Sequence, residues 1–235
     1  MKALCKLTWV EFKLMLRQPE VVFFAFVFPL FLMVTFGSNG DVDKLIPMYT
    51  GIIISITGLM NLPLTVAMYR QRKILKRFKA TPLKPSYILV SQVMENVVTT
   101  LVGFLILFGA SRLFFKVHHA AIEPSFVLAF FLSVFSIFSF GFLIASIARN
   151  ERTASLIANL VYYPMLFLSG AVISVKELPA FLAKVSKVVP LTYVVDILGN
   201  TWFGTNVASS IRDAIVLFIV LVVSFGISAL TFRWE

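Results

Sequence analysis

The chain has 235 residues, 59% of them hydrophobic and only 14% charged, with a mean hydropathy of +0.93. That is too little polar surface to cover a soluble globule of this size, so composition points to the bilayer as solvent. The net charge of +10 and the pI near 9.9 come from Lys and Arg gathered between apolar runs, which reads as a topology signal, and nucleic acid is not expected as a partner.

The first twenty residues predict an interfacial amphipathic helix. At about 100° per residue Lys2, Lys6, Lys13 and Arg17 fall within about 60° of one another, while Trp9 and Phe12 sit on a largely apolar remainder. Trp9 is expected at headgroup depth on the cytoplasmic membrane face, and a plain membrane anchor would serve the same pattern. No small-x-small cleavage motif follows the first apolar run, so the N-terminus is expected to stay attached. Cys5 is the only cysteine and gives no intrachain disulfide.

A bilayer core of roughly 30 Å needs about 20 mainly apolar residues per helix. Six runs approach that length: 21–36, 46–68, 92–115, 125–147, 155–175 and 211–232. None alternates as a membrane strand would, so the predicted fold is an all-α membrane protein with six transmembrane helices. Counting Lys and Arg on alternate sides gives 14 on the side of the N-terminus and 7 on the other. Both termini are therefore expected in the cytoplasm.

Between the second and third runs stands YRQRKILKRFKATPLKPSY, residues 69–87, with seven cations among nineteen residues and no acid. Ile74, Leu75 and Phe78 share a narrow apolar face with Gln71 between them, and Arg72, Lys73, Lys76, Arg77 and Lys79 surround it. The Thr81-Pro82 and Lys84-Pro85 steps end this short helix. An interfacial helix on anionic headgroups and a docking knob for a partner's groove both fit the pattern.

The loop 176–210 is too apolar for a solvated loop, yet Pro179, Pro190, Gly199 and Gly204 break it. Two short re-entrant helices are expected on the outer side, turning near Pro190. Within the runs, Ser91, Gln92, Glu95, Asn96 and Thr99 share one helical face. Glu95 is the one acid expected within or at the edge of a span, facing either the bundle interior or a basic group at the headgroups. Asn61 and Asn159 fit interhelical hydrogen bonds and also stand as pathway candidates; Ser133, Ser136 and Ser139 look like small-residue packing positions.

Catalytic and metal constellations are missing from the sequence. His118 and His119 are adjacent, with no Cys, His or Asp cluster at ligand spacing. There is no phosphate-loop motif, so the chain is expected to bind no cofactor and not to be an enzyme in its own right.

The ordered fragments resemble the permease subunits of ABC-2 type exporters. EFKLMLRQPEVVFFAFVFPLFLMVTFG is similar to the family's opening, with Arg17, Pro19 and Pro29 in place. RQRKILKRFKATP resembles the family loop R-E-R-G-T-L-E-R-L-L-A-T-P at Arg70, Arg72, Leu75, Arg77, Ala80, Thr81 and Pro82, and departs at Gln71, Lys73, Ile74 and Lys76. Pro164, Leu168, Ser169, Gly170, Leu178, Pro179, Pro190, Leu191, Thr192, Tyr193 and Asp196 match the family's fifth span and outer loop, while Val189 stands where an Asn is common.

The resemblance implies one transmembrane domain over 1–235: an interfacial helix at 1–20, spans one and two at 21–68, a cytoplasmic coupling loop at 69–87, spans three to five at 88–175, an outer re-entrant loop at 176–210, and span six with a tail at 211–235. It implies a separate ABC ATPase partner holding ATP and Mg, contacted through Arg72, Ile74, Leu75, Arg77, Phe78, Thr81 and Pro82. It also implies a second permease chain, the same or a sister, in a bacterial or archaeal inner membrane. Asn61, Gln92, Glu95, Asn96 and Asn159 are its pathway or gate candidates; Ser169, Gly170, Pro179, Pro190 and Tyr193 mark the outer loop. The cargo expected is a hydrophobic or amphiphilic drug, antibiotic or lipid-like molecule. An ion-coupled secondary transporter or a channel is the alternative, and it would want intramembrane ion sites and an internal repeat beyond Glu95.

Overall fold

The structure, a computed structural model, describes residues 2–37, 42–74, 86–115 and 123–231. All regular structure among these residues is helical. In chain order the helices are α1 (Lys2–Met15), α2 (Pro19–Gly37), α3 (Val42–Gln71), α4 (Ser86–Phe115), α5 (Pro124–Ile147), α6 (Glu151–Leu168), α7 (Ala180–Ser186), α8 (Pro190–Trp202) and α9 (Val207–Thr231). Leu75, Arg77, Phe78, Thr81 and Pro82 of the expected coupling helix lie outside the described residues.

Five of these helices, α2, α3, α4, α5 and α9, are long and apolar enough to cross a membrane. The run expected at 155–175 is instead α6, whose first turn carries Glu151 and Arg152 and which stops at Leu168. Gly170 takes φ +86° immediately afterwards, a left-handed turn that glycine adopts without the Cβ clash other residues suffer. Apolarity continues past that turn but the helix does not.

Local chemistry sets most helix ends. Proline opens α2, α5 and α8 at a first position whose missing N–H costs nothing there. Asn150 caps α6, its Oδ1 accepting from the Thr153 N–H at 2.8 Å and hydroxyl at 2.9 Å. Gln18 is extended ahead of Pro19, which turns α1 away from α2.

The bundle is organised around α3. In its most apolar stretch 78% of residues are buried, against 22% for α2 and 17% for α9; α3 is the hub, and α2 and α9 turn apolar faces outward. Its contact with α5 is backbone-close: a Cβ on Gly141 would stand 1.9 Å from the Gly58 carbonyl oxygen. Small residues let two helices approach this far where lipid supplies no hydrophobic drive for association. Ser136 adds a bond from α5 to α9, its hydroxyl donating to the Leu217 carbonyl at 3.0 Å.

At the end of the bundle away from α1, α8 packs on α3, α5 and α9 and buries Leu191, Val194, Ile197 and Leu198. Trp202 makes edge contacts with Phe108 and Phe126. The turn ahead of Pro190 falls where the sequence places it. α9 begins at Val207, ahead of the expected 211, and Asp213, already within the expected run 211–232, is fully buried in this membrane-length helix. Glu95 is therefore not the only acid within one of these helices.

Candidate functional site

Two turns in the bundle are wider than α-helical: Phe23–Val27 in α2 and Ile56–Asn61 in α3. Each sits just upstream of a proline within its helix, Pro29 and Pro63. A proline ring removes the bond to the carbonyl four residues back and crowds that carbonyl, and an inserted residue in the preceding turn relieves the crowding. The two wide turns touch each other and contribute to one groove.

That groove, about 530 Å³, runs between α2, α3 and α6. Phe24, Phe28, Ile56, Met60, Leu64, Tyr163 and Leu166 give it an apolar wall, and Arg17, Gln18, Glu20 and Glu151 stand at the α1 end. The mixture of aromatic and thioether surface with charge at one end suits an amphiphilic molecule.

Beside it lies a hydrogen-bonded ladder joining α1, α3 and α4. The Tyr69 hydroxyl donates to Glu11 Oε2 at 2.5 Å and accepts from Gln92 Nε2 at 3.4 Å. Asn96 Nδ2 donates to the Gln92 carbonyl at 2.9 Å and to Glu95 Oε2 at 2.8 Å, and Thr99 donates to Glu95 Oε1 at 2.9 Å. Asn61 Nδ2 then donates to Asn96 Oδ1 at 2.9 Å across the helix interface. One turn further in, the Thr57 and Thr100 hydroxyls share a 2.8 Å bond. Every amide hydrogen of Asn96 is used, as a low-dielectric interior requires.

The expected residues fall in three places. Asn61, Gln92, Glu95 and Asn96 come together in the ladder. Asn159 does not join them: its Nδ2 donates to the Ser155 carbonyl at 2.7 Å and hydroxyl at 3.2 Å, within α6, because a short amide reaches its own preceding turn more easily than a neighbour. Glu95 is 2% exposed and forms no ion pair among the described residues; the Lys and Arg residues of 76–84 lie outside them.

Near α1, Trp9 is 58% exposed and stacks with Phe12, with Lys13 Nζ 5.2 Å from its ring centroid. Arg17 lines the groove, and Arg72 and Ile74 sit just after α3. At the other end Ser169 is buried and its hydroxyl donates to the Leu166 carbonyl at 3.0 Å. Gly170 makes the left-handed turn, Pro179 precedes α7, Pro190 opens α8, and the Tyr193 hydroxyl donates to the Lys187 carbonyl at 2.6 Å.

Three residues that join helices here are not among the site candidates drawn from the sequence. Glu11 lies about 150° from the centre of the cationic stripe of α1, within its apolar face; an acid in that position is the signal that could have found it. Burial pushes its carboxyl above the ordinary value of 4.5, and the bonds from Tyr69 and Gln92 draw it part of the way back. Arg70 and Gln71 fasten the end of α3 to the α5–α6 turn. Arg70 Nη2 donates to the Ala145 carbonyl at 3.0 Å and also to the Ala148 carbonyl, a cation on the C-terminus of α5. Gln71 Oε1 accepts from the Glu151 N–H at 3.0 Å, at the start of α6.

Residues 2–203 match a protein family described as the ABC-2 type transporter family. Among relatives, a probable multidrug ABC transporter permease of Escherichia coli (strain K12), YbhS, is 24% identical over 167 residues, 69% of this chain and 44% of that protein. Nodulation protein J of Rhizobium leguminosarum bv. viciae is 33% identical over 95 residues, 40% of this chain and 37% of that protein. The matched stretch thus spans less than half the length of either relative.

Proposed function

The chain belongs to the ABC-2 type transporter family, and from that premise we propose that it is the membrane-spanning permease subunit of an ATP-driven exporter. In this reading α6 completes a set of six spans with α2, α3, α4, α5 and α9. The excess of Lys and Arg on the N-terminal side of the spans in sequence supports cytoplasmic termini in a bacterial or archaeal cell. ATP and Mg belong to a separate ABC ATPase, and the segment after Gln71 is the docking element on it.

The observation that carries the proposal is the groove between α2, α3 and α6. Its α3 wall leads directly to Arg70 and Gln71, and these are bonded to the ends of α5 and α6. A push on the segment beyond Gln71 therefore reaches the helix on the groove's other side without passing through a flexible joint. A second permease chain facing the groove would close it into a pathway. The apolar lining favours a hydrophobic or amphiphilic cargo, in keeping with a relative named as a multidrug permease.

The test is co-expression with a candidate ATPase and measurement of assembly and of ATP hydrolysis in proteoliposomes. Phe78→Asp is expected to reduce assembly or coupled hydrolysis while membrane insertion persists. Unchanged assembly together with unchanged coupling would refute the docking assignment.

A further inference from the structure

A second cavity, about 440 Å³, lies beneath α1 between α1, α3 and α4. Two carboxylates line it, Glu11 from α1 and Glu95 from α4, and neither has an ion pair among the described residues. Arg72, on the exposed rim, is the cation among its lining residues. The rest of the wall includes Leu14, Met15 and Met68.

The hydrogen-bonding needs of these carboxylates are already met in large part. Both oxygens of Glu95 accept bonds, from Asn96 and Thr99, and Glu11 accepts from Tyr69. What the described residues do not give either of them is an ion-paired cation. A hydrated metal ion is a poor answer, because hard cations require about six or more oxygen ligands and no group of three or more His, Cys, Asp or Glu residues placed to hold one occurs among the described residues. A large, weakly hydrated organic cation answers better: it supplies charge without demanding hydrogen bonds, loses little on leaving water, and offers apolar surface to the methionines.

We infer that this cavity binds a monovalent lipophilic cation, with Glu11 and Glu95 as its counter-charges. Gln18, Asn61, Thr65 and Met68 line both this cavity and the groove between α2, α3 and α6, so a cation held here stands next to the aromatic wall of that groove. As a statement about cargo this rests on the exporter reading; as a statement about a binding site it does not.

The probe is tetraphenylphosphonium, with tetraphenylborate as its partner of the same shape and opposite charge. The chain, purified in a nonionic detergent, is expected to bind about one phosphonium saturably by equilibrium dialysis, and the borate, dialysed in a separate sample, is not expected to bind. Glu11→Gln and Glu95→Gln should each raise Kd roughly tenfold or more, as removal of a partly buried charge partner does. Gln18→Trp keeps both carboxylates and adds bulk on the shared wall; it too should weaken binding, and it guards against a carboxylate variant that fails to fold. No saturable binding, equal binding of the borate, or wild-type affinity in the folded variants overturns the inference. ATPase stimulation is read separately, so a failure here with coupling intact removes the cation site alone.

Discussion

The Tyr69 hydroxyl reaches 2.5 Å across a helix interface to Glu11 Oε2, tying the surface helix α1 to the central helix α3. Burial raises the Glu11 carboxyl above its ordinary value, so the docked state of α1 holds its proton more tightly than the undocked one. The contribution to docking is fully present below the undocked value of 4.5 and is lost as pH rises through the raised, docked value. Hydrogen exchange of α1 amides, corrected for intrinsic rate, should show protection falling over that window. Tyr69→Phe removes a bond that lowers the pKa, so the loss of protection should move to higher pH. A pH-independent protection profile would contradict this account.

The Gly58–Gly141 contact makes a prediction of opposite signs at two glycines. Gly141→Ala drives a methyl into the Gly58 carbonyl and should destabilise by about 1–3 kcal/mol through overpacking. Gly109, in α4, has open space around its missing side chain, and Gly109→Ala should be neutral or stabilising by up to about 1 kcal/mol. Thermal unfolding in detergent, followed by size-exclusion recovery, separates the two.

Arg70→Met should loosen the α5–α6 turn. It leaves the Ala145 and Ala148 carbonyls without their cationic donor, at a cost of about 1–3 kcal/mol. Arg70→Lys should restore only part, since an ammonium keeps the charge at the helix end but not the planar fork. Exchange protection around residues 144–153 should fall in the order wild type, Lys, Met. Equal protection in all three would show that the turn is held by packing alone.

Asn61 and Asn96 should be coupled. A double-mutant cycle with Asn61→Ala and Asn96→Ala is expected to give an interaction energy of about 0.6 kcal/mol, and not more than about 1.7, the range of interhelical hydrogen bonds in membranes. Strict additivity would mean that their 2.9 Å bond contributes nothing to stability.

Much of this was legible in the apolar runs, and the departures have identifiable causes. α4 begins at Ser86, not 92, because Pro85 permits a helix to start just after it, while Ser91, Gln92 and Glu95 face the bundle and depress hydropathy without marking the membrane edge. α6 ends early because a left-handed turn at Gly170 leaves no trace in hydropathy. The polar face of α4 predicted the ladder's residues. It could not supply Tyr69 or the direction of Asn61, which depend on how α3 is rotated against α4. Pro29 and Pro63 each follow a wide turn, but Pro47 and Pro164 have none just before them, so proline alone does not locate one.

The wide turn at Ile56–Asn61 also governs how this sequence tolerates insertion and deletion. One extra residue in a turn advances everything beyond it by about 100° around the helix axis relative to an uninterrupted α-helix. Regularising the helix without loss of a residue would therefore swing Tyr69 off Glu11, and Arg70 and Gln71 off their partners at the ends of α5 and α6. Removing one residue inside the turn does the opposite: the helix closes to a regular one and the stretch from Leu62 to Gln71 keeps its place. A one-residue deletion within Ile56–Asn61 should thus be tolerated far better than one between Leu62 and Gln71, where no wide turn is left to take it up.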